Sequence, residues 1–457
     1  MVDKIIIVYL FVLFVSAYAY KSYEGYKVYK SVPNNEVQVK VLTDLREEKY
    51  EFWTDGHFSV GDDVRILVSP KEDEEFVKYA NRAGIYPEVV IGNVQELINY
   101  QLKPTTTTRS SSLGSFSWNA YHNLSDIHAW LDELAETYPN VVRTVVIGQS
   151  AEGRPIKGVV IDFKAGQRGE KPLTGMIEGG IHAREWISPA TVTWIIKEFL
   201  TSNDADIRLM AETIVWHIFP VVNPDGYLYT FSNDRMWRKN RNPTNYVSCG
   251  SNDDIGNGID LNRNFDFHWM SIGASQNPCD TTYAGPTPSS ELEAQAIMSY
   301  VNQTKESSNL MYYFAFHSYS QLVLIPYSHS TGYGVLDSSN YADMYEISIR
   351  GAAKLQSIHG TSYTVGTSAE VLYAVSGSSF DWVKGVANIP IVLLFELRDT
   401  QQYGFLLPPE QIIPNNEEIM ACLVEMEKTT RQLGYYNNAK NFTLSLSLFL
   451  ISLYFFL

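Results

Sequence analysis

Basic residues are scarce in this chain relative to acidic ones. Lysine and arginine total 35, against 51 aspartates and glutamates, which gives a formal net charge of −16 at pH 7. The basic residues form no cluster along the 457-residue sequence. Nucleic-acid binding needs a positive surface to match the phosphate charge. The composition therefore excludes nucleic acid as an expected partner.

Long hydrophobic runs are absent except at the two ends. Near the start, Ile5–Val15 follows a weakly charged segment and precedes Ala17-Tyr18-Ala19. This pattern is typical of a secretory signal peptide, and we expect residues 1–19 to be removed after Ala19. The alternative, an uncleaved membrane anchor, would need a longer apolar run.

The second apolar run, Phe442–Leu457, ends the sequence with no charge after it. A removable signal for a glycolipid anchor fits residues 435–457, with attachment at Asn437, Asn438 or Ala439, although the polar spacer is shorter than that motif requires. An uncleaved C-terminal anchor and a buried strand or helix are the alternatives. We therefore expect an extracellular protein, secreted or attached to the cell surface by this tail.

Cysteine is also rare, with Cys249, Cys279 and Cys422 only. In an exported protein, three cysteines allow one disulfide and leave one thiol.

Residues 20–103 alternate strand-like and helical patterns, which predicts a small α/β unit. Strands are expected at Tyr26–Val32, Lys49–Trp53, Val64–Val68 and Ile85–Ile91, and helices at Glu72–Arg82 and Val94–Tyr100. The spacing of valines and leucines in residues 35–46 fits a strand or a helix. If this segment is helical, the order becomes βαββαβ, a ferredoxin-like unit.

A polar run of threonine and serine, Pro104–Ser112, has nothing to bury and reads as a linker. Its single Arg109 is a ready site for a trypsin-like protease, and an inert spacer is the alternative.

From Tyr121 onward, strands and helices alternate in one large α/β domain, residues 110–434. Ser125 is expected to cap its first helix. Two later strands, Met311–Phe316 and Ile391–Phe395, are continuous apolar runs, as expected in a sheet covered on both faces. The other strands are expected at Val141–Ile147, Gly158–Phe163, Leu173–Glu178 and Thr213–Val221, and the helices at Pro189–Leu200, Glu291–Val301, Ala342–Gln356 and Glu417–Gln432.

The chemistry centres on His182 and Glu185, which follow a Gly-Gly pair and a predicted strand. Their three-residue spacing lets both side chains point to one side of a turn. Imidazole nitrogens and carboxylate oxygens are zinc ligands, and a catalytic site adds one distant ligand and leaves a position open. The pair alone is a weak signal.

Two further candidates stand at the ends of the apolar strands. His317 follows Met311–Phe316, where α/β sheets place functional residues, and is the candidate third ligand. Glu396 follows Ile391–Phe395, and a carboxylate there needs a partner or a role. A carboxylate near metal-polarised water can accept its proton, so Glu396 is the candidate general base.

Five separated blocks together resemble the zinc metallocarboxypeptidases of the pancreatic A/B type, over about residues 22–434. They are Gly180–Trp186, Asn233–Lys239, Asp260–Phe265, His317–Gln321 and Phe395–Asp399. The resemblance implies an α/β/α sandwich around a mixed eight-stranded sheet. It also implies that residues 20–109 are an inhibitory pro-domain and linker, released by cleavage at Arg109.

The resemblance assigns a role to each matching residue. Zinc, one ion per chain, would be held by His182, Glu185 and His317, with Asp260 orienting the first histidine. Glu396 matches the general base, Arg238 the group that stabilises the oxyanion, and Asn262 and Arg263 the clamp on the substrate's terminal carboxylate. Alone, Arg263 would read as a surface salt bridge. The other substrate contacts would be Tyr373, which closes over the bound residue, and the outer positions Arg184, Arg235, Ser318, Tyr319 and Phe405.

The resemblance also bears on the cysteines and on specificity. It implies a Cys249–Cys279 disulfide, in a loop lengthened near Ser251–Gly258, and leaves Cys422 as a buried thiol. Phe380 stands where basic-specific relatives carry an acidic residue. An aromatic floor favours an apolar or aromatic C-terminal residue. Ser328 is a possible second pocket residue.

The expected function is thus a zinc exopeptidase, made as a zymogen, acting as a monomer on peptides with a free C-terminus. Three alternatives are a carboxypeptidase with a different C-terminal preference, a regulatory-branch carboxypeptidase, and a catalytically silent peptide-binding surface protein. The regulatory branch lacks a pro-domain and carries an added domain at its C-terminus. A silent protein would have lost a ligand or the base.

Overall fold

A computed structural model describes residues 20–48, 50–54, 58–102, 116–167, 171–249, 255–330 and 340–437. The predicted signal peptide, Arg109 and the apolar tail beyond Asn437 lie outside these ranges. Among the described residues, no helix is both long and apolar enough to cross a membrane.

The N-terminal unit is a four-stranded antiparallel sheet with helices. The ambiguous segment forms a helix, α1, because Leu42 and Leu45 pack into the core while Val37 points to solvent. The βαββαβ prediction is therefore confirmed, with spatial order β2-β3-β1-β4. The elements are β1 Lys27–Ser31, α1 Glu36–Glu48, β2 Glu51–Phe52, β3 Val64–Val68, α2 Asp73–Arg82, β4 Glu88–Ile91 and α3 Val94–Gln101.

The larger unit is built on a mixed eight-stranded sheet with the order β11-β10-β12-β9-β7-β8-β6-β5. Its strands are β5 Val142–Gln149, β6 Pro155–Ile161, β7 Leu173–Gly179, β8 Val215–Phe219, β9 Asn309–Ser318, β10 Leu322–Ile325, β11 Thr364–Thr367 and β12 Ile391–Leu397. Its helices are α4 Leu124–Thr137, α5 Ile187–Thr201, α6 Ala205–Thr213, α7 Pro224–Ser232, α8 Leu292–Ser307, α9 Tyr341–His359, α10 Ser368–Val371, α11 Ser379–Gly385 and α12 Ile412–Gln432.

The central strands are covered on both faces, as their continuous apolar sequences predict. In β9, Phe314 and Phe316 pack into the core on the side of α5, α9 and α12. The intervening Tyr313 and Ala315 join a second core with α8 and α11. Alternate side chains of a strand point to opposite faces, so both sets are buried.

The topology brings the carboxyl ends of three parallel strands together. Strand β9 lies between β7 and β12 and is parallel to both. His182 follows β7, while His317 and Glu396 lie near the ends of β9 and β12 and are paired in register. Residues far apart in sequence thus meet at one edge of the sheet.

The structure differs from the sequence-based expectation at the start of α4. Asn123, not Ser125, is the N-cap, because its side-chain oxygen accepts a hydrogen bond from Asp126 N at 3.0 Å. Ser125 lies one residue inside the helix and donates to the same Asn123 oxygen. Strands β10 and β11 and helices α6, α7, α10 and α11 were not expected, because most are short and carry little periodicity.

We expect Gly175→Ala to destabilise the larger domain. A Cβ at Gly175 would overlap the fully packed Trp216 ring, lying 2.6 Å from its Cε3 atom. Overpacking of this kind costs about 1–3 kcal/mol. Urea unfolding followed by tryptophan fluorescence measures the change. Gly92→Ala is the control, since nothing lies within 4 Å of its added Cβ. Equal midpoints for the two variants would contradict the packing argument.

Candidate active site

His182 and Glu185 lie in the turn between β7 and α5. Gly180 has a φ of +64°, and a Cβ there would approach Pro189 and Pro220 to 3.1 Å. Glycine is therefore needed for the tight exit from the strand. The turn places His182 Nδ1 2.7 Å from Glu185 Oε1, as the three-residue spacing predicts.

His317 completes a compact group of metal-binding side chains. Its Nδ1 lies 3.1 Å from His182 Nδ1 and 3.2 Å from Glu185 Oε2. Among the described residues these three form the one group able to hold a metal ion, and all three are buried. Tetrahedral zinc with bonds of about 2.0–2.2 Å separates its ligand atoms by roughly 3.3–3.6 Å. Two imidazole nitrogens and a carboxylate converging at nearly this spacing fit zinc.

The charges of this group depend on one another. Burial alone would raise the pKa of Glu185, but His182 and His317 hold it below its usual value. Burial lowers the pKa of His317, which favours the neutral imidazole. An ionised carboxylate and a neutral imidazole are the forms that bind zinc.

Asp260 connects the metal-binding group to two arginines. Its Oδ1 lies 3.1 Å from His182 Nε2, and its Oδ2 accepts hydrogen bonds from Arg238 Nε and Nη2 at 3.1 and 2.9 Å. Arg263 Nη1 lies 3.8 Å away. Although burial opposes ionisation, Arg238, Arg263 and His182 hold the pKa of Asp260 well below its usual value. Asp260 therefore fixes the orientation of both His182 and Arg238.

Asn262 and Arg263 follow Asp260 in a short 3₁₀ turn, Leu261–Arg263. Arg263 donates to Gly273 O at 2.8 Å and to Asn262 O at 3.0 Å. Its buried Nη2 has no hydrogen-bond partner among the described residues. The structure thus holds a guanidinium at the cavity wall with one donor left for a ligand, which differs from a surface salt bridge.

These groups line one cavity of about 190 Å³. Of the residues selected from the sequence, the metal-binding group and Arg238, Asn262, Arg263, Ser318, Tyr319, Tyr373, Phe380, Glu396 and Phe405 all line it. Ser328 does so too, as the sequence suggested. Asp260 lies behind the wall.

The cavity lining around Phe380 is of mixed character. Phe380 provides an aromatic wall and is 1% exposed. Leu324, Val371, Leu372 and Leu394 line the cavity and belong to the same hydrophobic cluster as Phe380. Further lining residues are Val375 and the polar Ser328, Ser368 and Ser378, and this whole group is the Phe380 pocket. Apart from Phe380 and Ser328 these residues were not selected from the sequence. The apolar run Leu322–Ile325, just after the His317 block, is the signal that could have identified β10 and with it Leu324.

The N-terminal unit covers the mouth of the cavity. Trp53, Thr54, Asp62 and Asp63 contribute to the lining, and the Trp53 ring packs edge-to-face on Phe405. Bulky and charged side chains of the N-terminal unit thus line the same cavity as the metal-binding residues. No local sequence pattern predicts these four contacts.

Arg184 and Arg235 do not line the cavity. Arg184 is fully buried, with Nη1 3.1 Å from Glu51 Oε1 and its guanidinium stacked on Phe405. Arg235 donates to Gln101 Oε1 at 3.0 Å and to two backbone carbonyls. Both arginines therefore bind residues of the N-terminal unit, and their role as outer substrate contacts stays a prediction.

A disulfide closes the loop that carries the Asp260 turn. It joins Cys249 and Cys279, while Cys422 is buried and free, as expected. Lys239, next to Arg238, donates to Ile255 O and Pro278 O at 2.7 and 2.8 Å. These contacts tie the loop to the segment after α7 that presents Arg238.

Comparison with known proteins is consistent with this geometry. The sequence profile described as zinc carboxypeptidase matches residues 127–422, and the profile described as carboxypeptidase activation peptide matches residues 29–101. The chain belongs to the zinc carboxypeptidase family. This carboxypeptidase is therefore a hydrolase that uses one zinc ion and is made as a zymogen with an activation peptide.

The similar proteins include carboxypeptidases named as A and B types. The carboxypeptidase is 37% identical over 418 residues to zinc carboxypeptidase A 1 of Anopheles gambiae, which covers 91% of this chain and 92% of the relative. It is 41% identical to carboxypeptidase B of Astacus astacus, covering 66% of this chain and 94% of that protein. The crystal structure of thrombin activatable fibrinolysis inhibitor has a TM-score of 0.78 and 30% identity, covering 88% of this chain and 98% of that chain.

We expect Asp260→Asn to weaken zinc binding by roughly 10–100-fold. The carboxylate of Asp260 is an anionic acceptor that orients the His182 ring, and the neutral amide is a weaker acceptor. Competition with a chromophoric chelator measures the affinity without using activity. Asp225→Asn is the matched control, a buried aspartate bound to Ser150 and Arg154. If both variants keep the native zinc affinity, Asp260 does not tune the metal site.

Proposed function

We propose that this zymogen, once cleaved near Arg109, hydrolyses the last peptide bond of peptides and proteins and favours apolar C-terminal residues. The observation that carries the proposal is that the Arg263 guanidinium and the three metal-binding residues line one cavity. A free carboxylate on Arg263 places the final peptide bond near those residues. Because the cavity is complete within one chain, a monomer suffices.

Recognition of the terminal carboxylate comes from Asn262 and Arg263. The Nη2 of Arg263, which has no hydrogen-bond partner among the described residues, donates to a carboxylate oxygen. Hydrogen bonds between charged groups contribute about 1.5–3 kcal/mol. An internal peptide bond has no such carboxylate and leaves the buried donor unpaired. This makes the enzyme an exopeptidase.

The reaction itself requires a base and a cation at fixed positions. Glu396, in register with His317 on the neighbouring strand, accepts a proton from the attacking water. Arg238, held by Asp260, donates to the oxygen that becomes negative. When bound by His182, Glu185 and His317, zinc supplies a Lewis acid that polarises the reacting groups. Tyr373 closes over the bound residue.

The side-chain preference comes from the wall formed by Phe380. Burying a large apolar side chain contributes about 1.5–3 kcal/mol. The carboxylates that line the cavity are Asp62, Asp63, Glu185 and Glu396, whereas the lining residues that pack with Phe380 are apolar. A lysine or arginine placed against Phe380 would therefore lose its hydration without gaining an ion pair there. The serines Ser328, Ser368 and Ser378 leave room for aliphatic as well as aromatic residues.

We also propose that the enzyme acts outside the cell, with residues 1–19 as its export signal. The Cys249–Cys279 disulfide supports this, since disulfides persist in oxidising compartments. The proposal does not depend on the tail. A silent peptide-binding protein is not favoured, because the three metal-binding residues and Glu396 are all in place.

We expect the trypsin-treated protein to release Phe from a blocked dipeptide at least about tenfold faster than Arg. The reason is that burial of the phenylalanine side chain against Phe380 stabilises the bound substrate by about 1.5–3 kcal/mol. A zinc chelator should abolish release of both. Phe380→Asp should shift the preference toward Arg, while Phe380→Leu keeps the apolar wall and serves as the control. Faster release of Arg by the native enzyme would overturn the pocket assignment but not the zinc mechanism.

We expect the uncleaved protein to gain activity when contacts between the two units are removed. Glu51→Gln weakens the ion pair with Arg184, and Gln101→Ala removes the contacts with Arg235 and Leu407. The double variant should raise the activity before trypsin treatment roughly tenfold or more, since each contact contributes about 1 kcal/mol or more.

Asp44→Asn is the control, because its exposed pair with Lys40 lies within the N-terminal unit. Unchanged activity in the double variant, with native activity after cleavage, would show that these contacts do not maintain latency.

A further inference from the structure

The amide of Asn262 is oriented from behind the cavity wall. Ser379 N donates to Asn262 Oδ1 at 2.9 Å, and Asn262 is 5% exposed. A backbone N–H can only donate, so the oxygen of the amide must face Ser379. The Nδ2 donors are then the end of the side chain left for the cavity. That orientation suits a carboxylate ligand.

Ser379 is itself fixed by a buried carboxyl group. Its Oγ donates to Glu178 Oε1 at 2.6 Å, and both residues are at most 1% exposed. Glu178 lies near the end of β7, and its second carboxyl oxygen, Oε2, has no hydrogen-bond partner among the described residues. Polar groups this deeply buried carry a large desolvation cost unless they are hydrogen-bonded. The mechanism above gives Glu178 no role.

Ser379 also belongs to the element that forms the side-chain pocket. It is the first residue of α11, directly before Phe380. Ser379 thus contacts Asn262 of the carboxylate clamp and directly precedes Phe380, which forms the pocket wall. The carboxylate and the side chain of a C-terminal residue branch from the same Cα atom. The distance between Asn262 and the Phe380 pocket therefore decides whether a substrate can bind both at once.

We infer that Glu178, acting through Ser379, positions Asn262 and sets its distance from the Phe380 pocket. Glu178 and Ser379 are positioning residues for recognition of the terminal carboxylate, and this inference rests on the proposed function of Asn262. The hydrogen bonds of this link run from Glu178 through Ser379 to Asn262 and include no zinc ligand. Losing the link should therefore weaken carboxylate binding and leave the chemical step largely intact.

The test compares binding of a blocked dipeptide ending in Phe with binding of the same dipeptide as its C-terminal amide. Trypsin-activated protein is first depleted of zinc, so that no hydrolysis occurs and the metal cannot bind the carboxylate. Ser379→Ala should weaken binding of the acid roughly three- to tenfold, the effect of one hydrogen bond, and leave binding of the amide unchanged. Calorimetric titration measures both.

Two variants of Glu178 refine the test. Glu178→Met removes the acceptor at similar volume and should behave like Ser379→Ala. Glu178→Gln keeps an acceptor oxygen and should restore most of the affinity. Should Glu178→Met fail to fold, Ser379→Ala, which removes a single oxygen, still decides. Ser348→Ala is the control, a fully buried serine on α9.

A double variant shows whether the effect passes through Asn262. In an Asn262→Ala background, Ser379→Ala should no longer change the affinity for the acid. An equal loss in both backgrounds overturns the inference, and so does a native affinity for Ser379→Ala.

The zinc-loaded enzyme gives a second readout. There, Ser379→Ala should raise KM by the same factor with kcat little changed, and a fall in kcat at constant KM overturns the inference. If the native protein itself does not prefer the acid to the amide, the clamp of the proposed function is wrong, and the inference fails with it.

Discussion

The compensation of buried charge at Asp260 is the constraint on which the active site depends. One fully buried carboxylate lies against a histidine and two arginines that are themselves buried. Each charge alone would be costly in the interior, and removing one partner of such a network leaves the others uncompensated. The network holds His182, Arg238 and Arg263 in fixed relative positions. The residues proposed for metal binding, oxyanion stabilisation and carboxylate recognition therefore share one anchor.

The sheet supplies the other condition, which is proximity. Strands β7, β9 and β12 are adjacent and parallel, so their carboxyl ends carry His182, His317 and Glu396 to the same edge. Both faces of these strands are packed against helices, which leaves the edge as the open part of the sheet. A rigid core thus presents reactive groups with little freedom to move apart.

The N-terminal unit contacts two buried arginines of the larger domain. Arg184 and Arg235 are held by Glu51 and Gln101, and Trp53 packs on Phe405. The unit binds these arginines through its own side chains and contributes Trp53 to the lining of the cavity. The prediction that the same arginines contact the substrate would make latency and substrate binding alternative uses of one set of side chains.

Much of the secondary structure and most of the candidate site residues could be predicted from the sequence alone. The continuous apolar strands and the blocks around His182, Asp260, His317 and Glu396 carry local signals, whereas residues 35–46 fitted a strand or a helix equally and the structure decided for the helix. Periodicity and motif spacing involve residues that are close in sequence, so both can be recognised without knowledge of the fold. The disulfide and the zinc ligands followed from the resemblance that those blocks carry.

Only the tertiary structure decided which residues complete the site. Leu324, Ser368 and Ser378 reach the pocket from short elements without periodicity, and Trp53 reaches it from another unit. Glu178 looked like the last residue of a strand, and its link to Asn262 through Ser379 spans more than 200 residues of sequence. Such contacts arise from strand order and packing between distant segments, and no local pattern encodes that order.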